Sequence, residues 1–367
     1  MQKRWAGIAR LGGIGDNLMA ASVARPLQRL GYKVDVLTAA GNHVVFWNNP
    51  HVDKLSVKEP GDLPEGDVAA WQTWFASRAK EYDLFAHLSH SCEARHAFFP
   101  HMTQFNWRAD YRRKIAAGSY IETVHDIAGV PYEFGPLFFP TDEEKERAAE
   151  TKAKIGPKTV GWILSGSRID KLHPYSSMII GRIIKELGMP VIMFGAGAKQ
   201  FEMAKSIMEH VERQNGTHEG LWLALTPDTA EAGGDMSWPI RRSLTQCQAC
   251  DVVVGPDTGT TWSVAFEEVP KVVMISHTSV ENITKHWRNT IALHADEYRV
   301  PCWPCHLLHD TPATCVQNKE GNGAACMTDI SAELILTAVR ACMRDAEAVK
   351  TLISKHSEQV HFEGFTS

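Results

Sequence analysis

The sequence predicts an α/β protein of two domains, each built on a parallel sheet with helices on both faces. Three observations support this fold class. The chain opens as strand, glycine loop and helix, followed by a second strand at Lys33 to Leu37, which makes a β-α-β unit. From Thr159 onward, short apolar strands again alternate with helical segments. The 367 residues, 44% of them hydrophobic, are enough to fill two cores.

The limits of the domains follow from a helix breaker at Gly156-Pro157. We predict an N-terminal domain over residues 1–154 and a C-terminal domain over residues 155–340. Residues 341–367 are predicted to form a further helix and tail, which we expect to pack back on the N-terminal domain.

Charge and hydropathy restrict the kinds of partner. The net charge is −5, from 38 basic and 43 acidic residues, so no nucleic-acid partner is expected, although a local contact stays open. The opening apolar run is too short for a signal peptide, and no stretch approaches the roughly 18 apolar residues of a membrane span. We therefore expect a cytoplasmic protein.

The centre of the C-terminal domain is a strand that feeds a helix. Val252 to Val254 end at a Gly-Pro break, and Asp257-Thr258-Gly259-Thr260 then lead into a helix predicted over Trp262 to Glu268. Backbone N–H groups at a helix start and the positive end of its dipole suit phosphate. The alternative is that Asp257 or Thr258 only caps the helix.

The first glycine loop presents an acid instead of a cofactor fingerprint. Leu18 stands where a dinucleotide loop has its third glycine, and Asp16 would place a carboxylate where a pyrophosphate should lie. A carboxylate at a strand's carboxyl end can accept a proton. Gly13 and Gly15 would let the backbone and a substrate approach closely. The equal alternative is that Asp16 caps the following helix, predicted over Leu18 to Leu30.

Two further stretches carry polar or aromatic groups. A strand ending at Leu164 leads into Ser165-Gly166-Ser167-Arg168 and then Lys171, an arrangement that faces phosphate. Residues 96–114 interleave aromatic and basic side chains, which suits a sugar, a phosphorylated acceptor or single-stranded nucleic acid. An amphipathic helix hairpin with core aromatics and solvated cations is the favoured alternative for residues 96–114.

Six of the eight cysteines fall into two groups. Cys247 and Cys250 lie at helical spacing before a buried strand and are predicted to be core thiols. Cys302, Cys305, Cys315 and Cys326 have the number and local spacing of a structural zinc site. The alternative is that these four thiols are buried or paired.

Five motifs, in this order, resemble the ADP-heptose:lipopolysaccharide heptosyltransferase family, glycosyltransferase family 9. They are residues 10–16, residues 165–167 with Lys171 and Pro174, residues 255–259, the turn His277-Thr278-Ser279, and residues 301–305 with 326–330. The resemblance spans nearly the whole chain.

The resemblance implies a GT-B architecture, in which two Rossmann-like domains face a central cleft and take the acceptor and the nucleotide-sugar donor respectively. It implies inverting transfer of a sugar such as heptose, without a catalytic metal, to a glycan or lipid-linked acceptor, with contact at a membrane surface left open. The chain has no Asp-x-Asp pair to hold a divalent ion on a diphosphate.

By position, the resemblance assigns Asp16 as general base and Lys171 as the cation at the departing diphosphate. The donor-binding residues that it implies are Gly13, Gly15, Ser165, Ser167, Lys171, Glu202, Asp257, Thr258, Gly259 and Thr260.

Two departures from the family pattern bear on the donor. Trp262 stands where the family usually has His, and Glu202, the candidate for the ribose, is about two positions out of register. Two other classes of function stay open: a nucleotide-sugar-binding module or inactive paralogue, and a nucleotide-sugar epimerase.

Overall fold

The computed structural model describes residues 4–65, 68–96, 103–164, 166, 169–224, 238–306, 317–318 and 323–365. These residues form two compact units, Met1–Phe139 and Pro140–Ser367. Each unit has a parallel sheet of its own, with helices connecting the strands. The predicted α/β class with two domains is therefore confirmed.

The first unit has a four-stranded parallel sheet in the order β3-β2-β1-β4. Its strands are β1 Arg4–Ala9, β2 Tyr32–Ala39, β3 Lys54–Lys58 and β4 Leu84–His87. Its helices are α1 Ile14–Ala21, α2 Ala24–Arg29, α3 Val68–Ala79, α4 Ser91–Arg95, α5 Ala109–Ala116 and α6 Tyr120–Ala128, with short 3-10 turns at His43–Phe46, Pro60–Asp62 and Thr103–Asn106.

The strand register brings the carboxyl ends of three strands of this sheet together. Ala9 pairs with Leu37 and with His87, so β1, β2 and β4 end at one edge. Leu18 and Leu27 are fully buried beneath the sheet, which explains the amphipathic pattern of residues 18–30. The pattern is shared by two short helices, however, and the first begins at Ile14, before the predicted start.

The second unit has a seven-stranded sheet in the order β13-β10-β9-β8-β5-β6-β7. Its strands are β5 Val160–Ile163, β6 Val191–Phe194, β7 Leu221–Leu223, β8 Val252–Pro256, β9 Lys271–Ile275, β10 Thr290–His294 and β13 Val360–Glu363, and a separate ribbon pairs β11 Gln317–Asn318 with β12 Gly323–Ala324. All neighbours in the large sheet are parallel except β10 and β13.

The helices of the second unit flank this sheet. They are α7 Asp142–Ile155, α8 Ser176–Leu187, α9 Gly197–Asn215, α10 Ile240–Gln248, α11 Gly259–Trp262, α12 Val280–Ile283, α13 Ala325–Thr328, α14 Ala332–Cys342 and α15 Ala346–Lys355, and a 3-10 turn spans Ile169–Lys171. Central strands β5 and β8 are buried along their whole length, as the apolar sequence indicates.

The boundary between the units lies before α7, whereas the sequence placed it at residue 154. Thr141 and Glu144 form the capping box that starts α7. Glu144 makes a bidentate ion pair of 2.6 Å with Arg241 of α10, and Lys152 pairs with Asp251 at 2.8 Å. These contacts attach α7 to the second unit, and the breaker at Gly156 only ends the helix.

The C-terminal segment forms part of the second unit. Its predicted helix is present as α15, and β13 pairs antiparallel with β10, from Thr290–Glu363 to Leu293–Val360. The packing of residues 341–367 on the first domain stays a prediction. The backbone N–H of Asn289 donates to the carbonyl of Gly364. The segment therefore extends the sheet of the second unit.

The two cysteines that precede β8 agree with their prediction. Cys247 and Cys250 are 0% and 5% exposed among core residues, which confirms them as core thiols. Burial raises the pKa of the Cys247 thiol to about 12. Among the residues described, no helix is both long enough and apolar enough to cross a membrane.

Candidate active site

The glycine loop after β1 is fixed by side-chain amides. Asn17 is fully buried and donates to the carbonyls of Gly12 (2.8 Å) and Gly13 (2.9 Å), while Asn42 donates to Gly12 (2.8 Å). Thr38, at the end of β2, donates to Asn17 Oδ1 (2.7 Å). The loop is thus held at the carboxyl edge of the first sheet, where open α/β sheets bind ligands.

Asp16 lies in the first turn of α1 and its carboxylate contacts the loop. Its Oδ2 accepts from the backbone N–H of Gly13 (2.9 Å), the N-cap residue of α1, which has no side chain to return the bond. Gly12 is the glycine that this arrangement requires, because a Cβ there would overlap Asp16 Oδ2, whereas a Cβ on Gly13 would lie 3.8 Å from it. Gly15, which the sequence also selected, is within α1. The carboxylate therefore does cap the helix, and its side chain stays 33% exposed at the sheet edge.

A buried guanidinium holds the other oxygen of Asp16. Arg10, 2% exposed, contacts Asp16 Oδ1 at 2.7 Å and both carboxylate oxygens of Glu93 at 2.6 and 3.2 Å. It also donates to the carbonyl of Leu88 (2.6 Å) and to the Tyr120 hydroxyl (3.2 Å). We call Arg10, Asp16, Glu93 and Tyr120 the Arg10 cluster. Burial alone would raise the pKa of Glu93, but Arg10 outweighs it and lowers that pKa.

Sequence reasoning missed two members of the Arg10 cluster, Glu93 and Tyr120. Glu93 lies in α4, directly after β4, and Tyr120 is the first residue of α6. Nothing local marks either residue, because their partner Arg10 is 83 and 110 positions away. Only the order of strands in the sheet brings β1 and β4 together.

In the second unit, the helix after β8 is shorter than predicted. The helix there is α11, four residues from Gly259 to Trp262, and it begins before the predicted Trp262 to Glu268 segment. Thr258 is its N-cap and accepts from the Thr261 N–H (3.5 Å). Thr258 therefore caps the helix, and its predicted role in donor binding stays a prediction. Because so short a helix has a small dipole, binding of an anion at this turn depends on nearby cations.

Lys171 supplies such a cation. Its Nζ donates to the carbonyl (2.6 Å) and to Oδ2 (3.1 Å) of Asp257, and the indole N–H of Trp262 donates to Oδ1 of the same carboxylate (2.8 Å). Gly166 lets the lysine chain pass, because a Cβ there would lie 2.6 Å from Lys171 Cδ and 3.3 Å from Thr258 Cγ2. Lys171 thus contacts the turn that the sequence assigned to a diphosphate.

The residue before Lys171 makes a second, opposite pair. Asp170, 1% exposed, contacts His277 Nδ1 at 2.7 Å at the end of β9. Burial lowers the pKa of His277, and the nearby Asp170 carboxylate opposes this only in part. We call Asp170, Lys171, Asp257, Trp262 and His277 the Lys171 cluster. The sequence had identified His277 only as part of a turn.

The structure shows fewer contacts for the other residues predicted to bind the nucleotide-sugar donor. Glu202 lies in the second turn of α9, 69% exposed, and pairs with Lys205 at 3.1 Å. Gly259 and Thr260 open α11 beside the Lys171 cluster. Ser165 and Ser167 lie outside the described residues, as does Arg168 of the same loop. The roles of all these residues stay predictions.

Residues 96–114 match the favoured pattern only in part. Trp107 and Tyr111 are 42% and 52% exposed, with ring centroids 5.4 Å apart, so these two aromatics are not core residues. Arg108, Arg113 and Lys114 are exposed, as a hairpin with solvated cations requires, whereas Arg112 is 7% exposed. Phe98 and Phe99 of this stretch lie outside the described residues.

The proposed zinc ligands are described only in part. Cys302 and Cys305 are half-buried and Cys326 is buried, while Cys315 lies outside the described residues. Within the described part of the chain, no group of three or more His, Cys, Asp or Glu side chains could hold a metal ion.

Comparisons with known proteins identify the fold. The structure resembles the glycosyl transferase family 9 protein from Veillonella parvula (14% identity, 94% of this chain and 99% of that chain, TM-score 0.64). It also resembles E. coli ADP-heptose LPS heptosyltransferase II (17%, 94% and 99%, TM-score 0.60) and E. coli heptosyltransferase WaaC with ADP (13%, 92% and 99%, TM-score 0.54). No protein-family model matches the chain, and a search of curated proteins gives no match.

The fold is thus that of the GT-B glycosyltransferases. The resemblance to the heptosyltransferases, seen first in five short motifs, extends over the whole fold at low sequence identity. The predicted fold class is confirmed.

Proposed function

We propose that the chain is an inverting glycosyltransferase that moves a sugar from a nucleoside diphosphate donor to an acceptor hydroxyl without a catalytic metal. The observation that carries the proposal is the Lys171 cluster, in which one ammonium contacts the turn after β8 at 2.6 Å. A fixed cation at this position would neutralise charge on the departing diphosphate. The fold shared with heptosyltransferases supports an ADP-heptose-like donor.

Asp16 is our candidate for the general base. An inverting transfer needs a base on the acceptor side, and the Asp16 side chain is exposed at the carboxyl edge of the first sheet. Each carboxylate oxygen can accept a further hydrogen bond besides those from Arg10 and Gly13. The exposed Trp107 and Tyr111, in the unit that would take the acceptor, suit a glycan or lipid-linked acceptor, at a cytoplasmic membrane surface or free in solution.

One observation favours a second function, a nucleotide-sugar-binding module. Asp16 has a structural role in the hydrogen bond from Gly13 at the start of α1 and in the pair with Arg10, which a protein without transferase activity would also need. Epimerisation of the free nucleotide sugar is a third outcome, in which product forms without any acceptor.

The deciding experiment is a transfer assay read by mass spectrometry, with ADP-heptose and other nucleotide sugars offered to glycan acceptors. Asp16→Asn keeps the shape of the side chain and removes its basicity, so turnover should fall about 10²- to 10⁴-fold while ADP binding stays nearly intact. Asp62→Asn is the matched control, because Asp62 likewise accepts from a backbone N–H three residues earlier, that of Glu59 (3.1 Å), and is expected to leave turnover unchanged. Asp16→Asn activity within a few-fold of the parent would leave Asp16 as a helix cap only.

We also keep a structural zinc at Cys302, Cys305, Cys315 and Cys326 as a proposal. Bound zinc would fix a loop rich in Pro and Gly. Elemental analysis of protein purified without chelator should give about one equivalent, and a value below about half would remove the idea.

A further inference from the structure

Trp262 is placed differently from a residue that contacts a substrate. Its side chain is 2% exposed and packs edge-on against Trp287, with ring centroids 4.8 Å apart and an interplanar angle of 73°. Its only polar atom, Nε1, donates to Asp257 Oδ1 at 2.8 Å. The difference from the family pattern at position 262 therefore affects contacts between residues of the chain itself, at the turn after β8.

The Asp257 carboxylate is held from two sides. Trp262 contacts Oδ1 and Lys171 contacts Oδ2 at 3.1 Å, with side-chain exposures of 12% for Asp257 and 17% for Lys171. Rotation of the carboxylate would exchange these partners, and the indole N–H opposes that rotation because the ring is locked by packing. Since Lys171 also donates to the Asp257 carbonyl, its position depends on the same residue twice.

An ammonium has three protons, and two are used by Asp257. The third proton can be donated to a phosphate only if the Asp257 carboxylate does not pull the Lys171 ammonium away from the turn. If the Asp257 carboxylate could rotate in so enclosed a place, it would make closer contact with the nearest cation, the Lys171 ammonium.

We propose that Trp262 is a positioning residue, whose indole N–H fixes Asp257 and thereby holds the Lys171 ammonium where it can take one oxygen of the donor diphosphate. This inference rests on the proposed function. Trp262 itself does not touch the donor. Its contribution is to keep the carboxylate turned so that Lys171 remains at the mouth of the turn.

The chain offers a closely matched control. Trp287 is its packing partner, 1% exposed, and within the described residues its Nε1 has no hydrogen-bond partner. Trp262→Phe and Trp287→Phe therefore remove the same atoms from the same pair of rings, but only the first removes a donor to Asp257. Trp262→His provides a ring N–H at the same position and serves as the conservative variant.

The first measurement does not depend on activity. Competitive acetylation with trace acetic anhydride, read by mass spectrometry, reports the reactivity of the Lys171 amine. We expect Trp262→Phe to change it at least about threefold relative to both the parent and Trp287→Phe, because the Asp257 carboxylate that contacts the amine is no longer held in place. Equal reactivity in the two phenylalanine variants would overturn the inference.

The second measurement uses ADP as the probe, by calorimetry, together with steady-state transfer. We expect Trp262→Phe to weaken ADP binding about tenfold and to lower kcat, with Trp287→Phe near the parent and Trp262→His largely restored. Changed lysine reactivity with unchanged ADP binding and turnover would also overturn the inference. If the parent binds neither ADP nor any other nucleoside diphosphate, the proposed function fails, while the labelling still decides whether Trp262 holds Lys171.

Discussion

Arg10 provides the strongest test of how the first unit is held together. Its guanidinium makes contacts of 2.6 to 3.2 Å with Leu88, Glu93, Tyr120 and Asp16, and it is 2% exposed. Arg10→Met keeps the apolar length of the side chain and removes every one of these contacts. The Glu93 carboxylate is then left in a mostly buried site, where the Tyr120 hydroxyl still donates to it at 3.2 Å.

The expected loss can be bounded from the geometry. Removing one partner of a buried pair costs about 3–5 kcal/mol, because the other charge stays behind. The side chains of Glu93 and Asp16 are 21% and 33% exposed, so water can replace part of what is lost. We therefore expect the free energy of unfolding to fall by about 3 kcal/mol at neutral pH, at the lower end of that range.

The effect should depend on pH. In the parent, burial raises the pKa of Glu93 but Arg10 outweighs it, so the folded pKa is below the ordinary value near 4.3. The resulting stability is present above that value and is lost as the pH falls through the folded pKa. In Arg10→Met the guanidinium no longer outweighs the effect of burial, so the pKa of Glu93 rises. Protonation of Glu93 on acidification then removes part of the destabilisation of the variant. The gap between parent and variant should narrow from pH 7.5 towards pH 4.5.

Urea denaturation followed by circular dichroism measures this gap, and hydrogen exchange of peptides from α4 and α6 assigns it to the first unit. Arg29→Met is the control, because Arg29 pairs with Glu133 at 3.1 Å but is 72% exposed. We expect the control to lose less than about 1 kcal/mol. A loss below about 1 kcal/mol for Arg10→Met, or a gap that does not vary with pH, would refute the reasoning.

Three further expectations concern the second unit. Lys271 is fully buried, and burial lowers its pKa to about 7. Between pH 7 and 10 the unfolded chain therefore binds more protons than the folded chain, and the free energy of unfolding should rise with pH. Lys271→Met should reduce that slope, measured by urea titrations at several pH values, by up to about 1.4 kcal/mol per pH unit. Gly255→Ala places a Cβ 2.6 Å from Ile163 Cβ and should lower the midpoint of thermal unfolding, at a cost of about 1–3 kcal/mol, whereas Gly61→Ala has nothing within 4 Å and should not. Lys171→Ala should remove about 2–4 kcal/mol of transition-state stabilisation, and loss of ADP affinity with unchanged kcat would restrict Lys171 to ground-state binding.

The sequence was most informative where a pattern is local. The buried strand Val252–Pro256 and the cap at Thr258 could be predicted because apolar runs, Gly-Pro breaks and hydroxyl caps act over a few residues. The start of α1 was misplaced because Ile14, between two glycines, was counted with the loop. The helix after Thr258 was placed too late for a similar reason.

Pairings across the chain could not be read in the same way. Arg10 and Glu93 meet only because β1 and β4 are neighbours, and Asp170 meets His277 only because a 3-10 turn lies at the ends of β8 and β9. The unit to which α7 belongs is decided by Arg241, almost a hundred residues later. The sequence marked Trp262 as a departure from the family pattern, but its hydrogen bond to Asp257 became evident only from the orientation of the indole ring in the structure.

The antiparallel strand β13 has a consequence for the solubility of shortened chains. It covers the outer edge of β10, whose residues Thr290 to Leu293 are fully buried. Uncovered, that edge would present unpaired backbone groups beside an apolar surface, which is how sheets recruit strands from other molecules. We therefore expect a truncation that removes Val360–Glu363 to promote self-association of the chain.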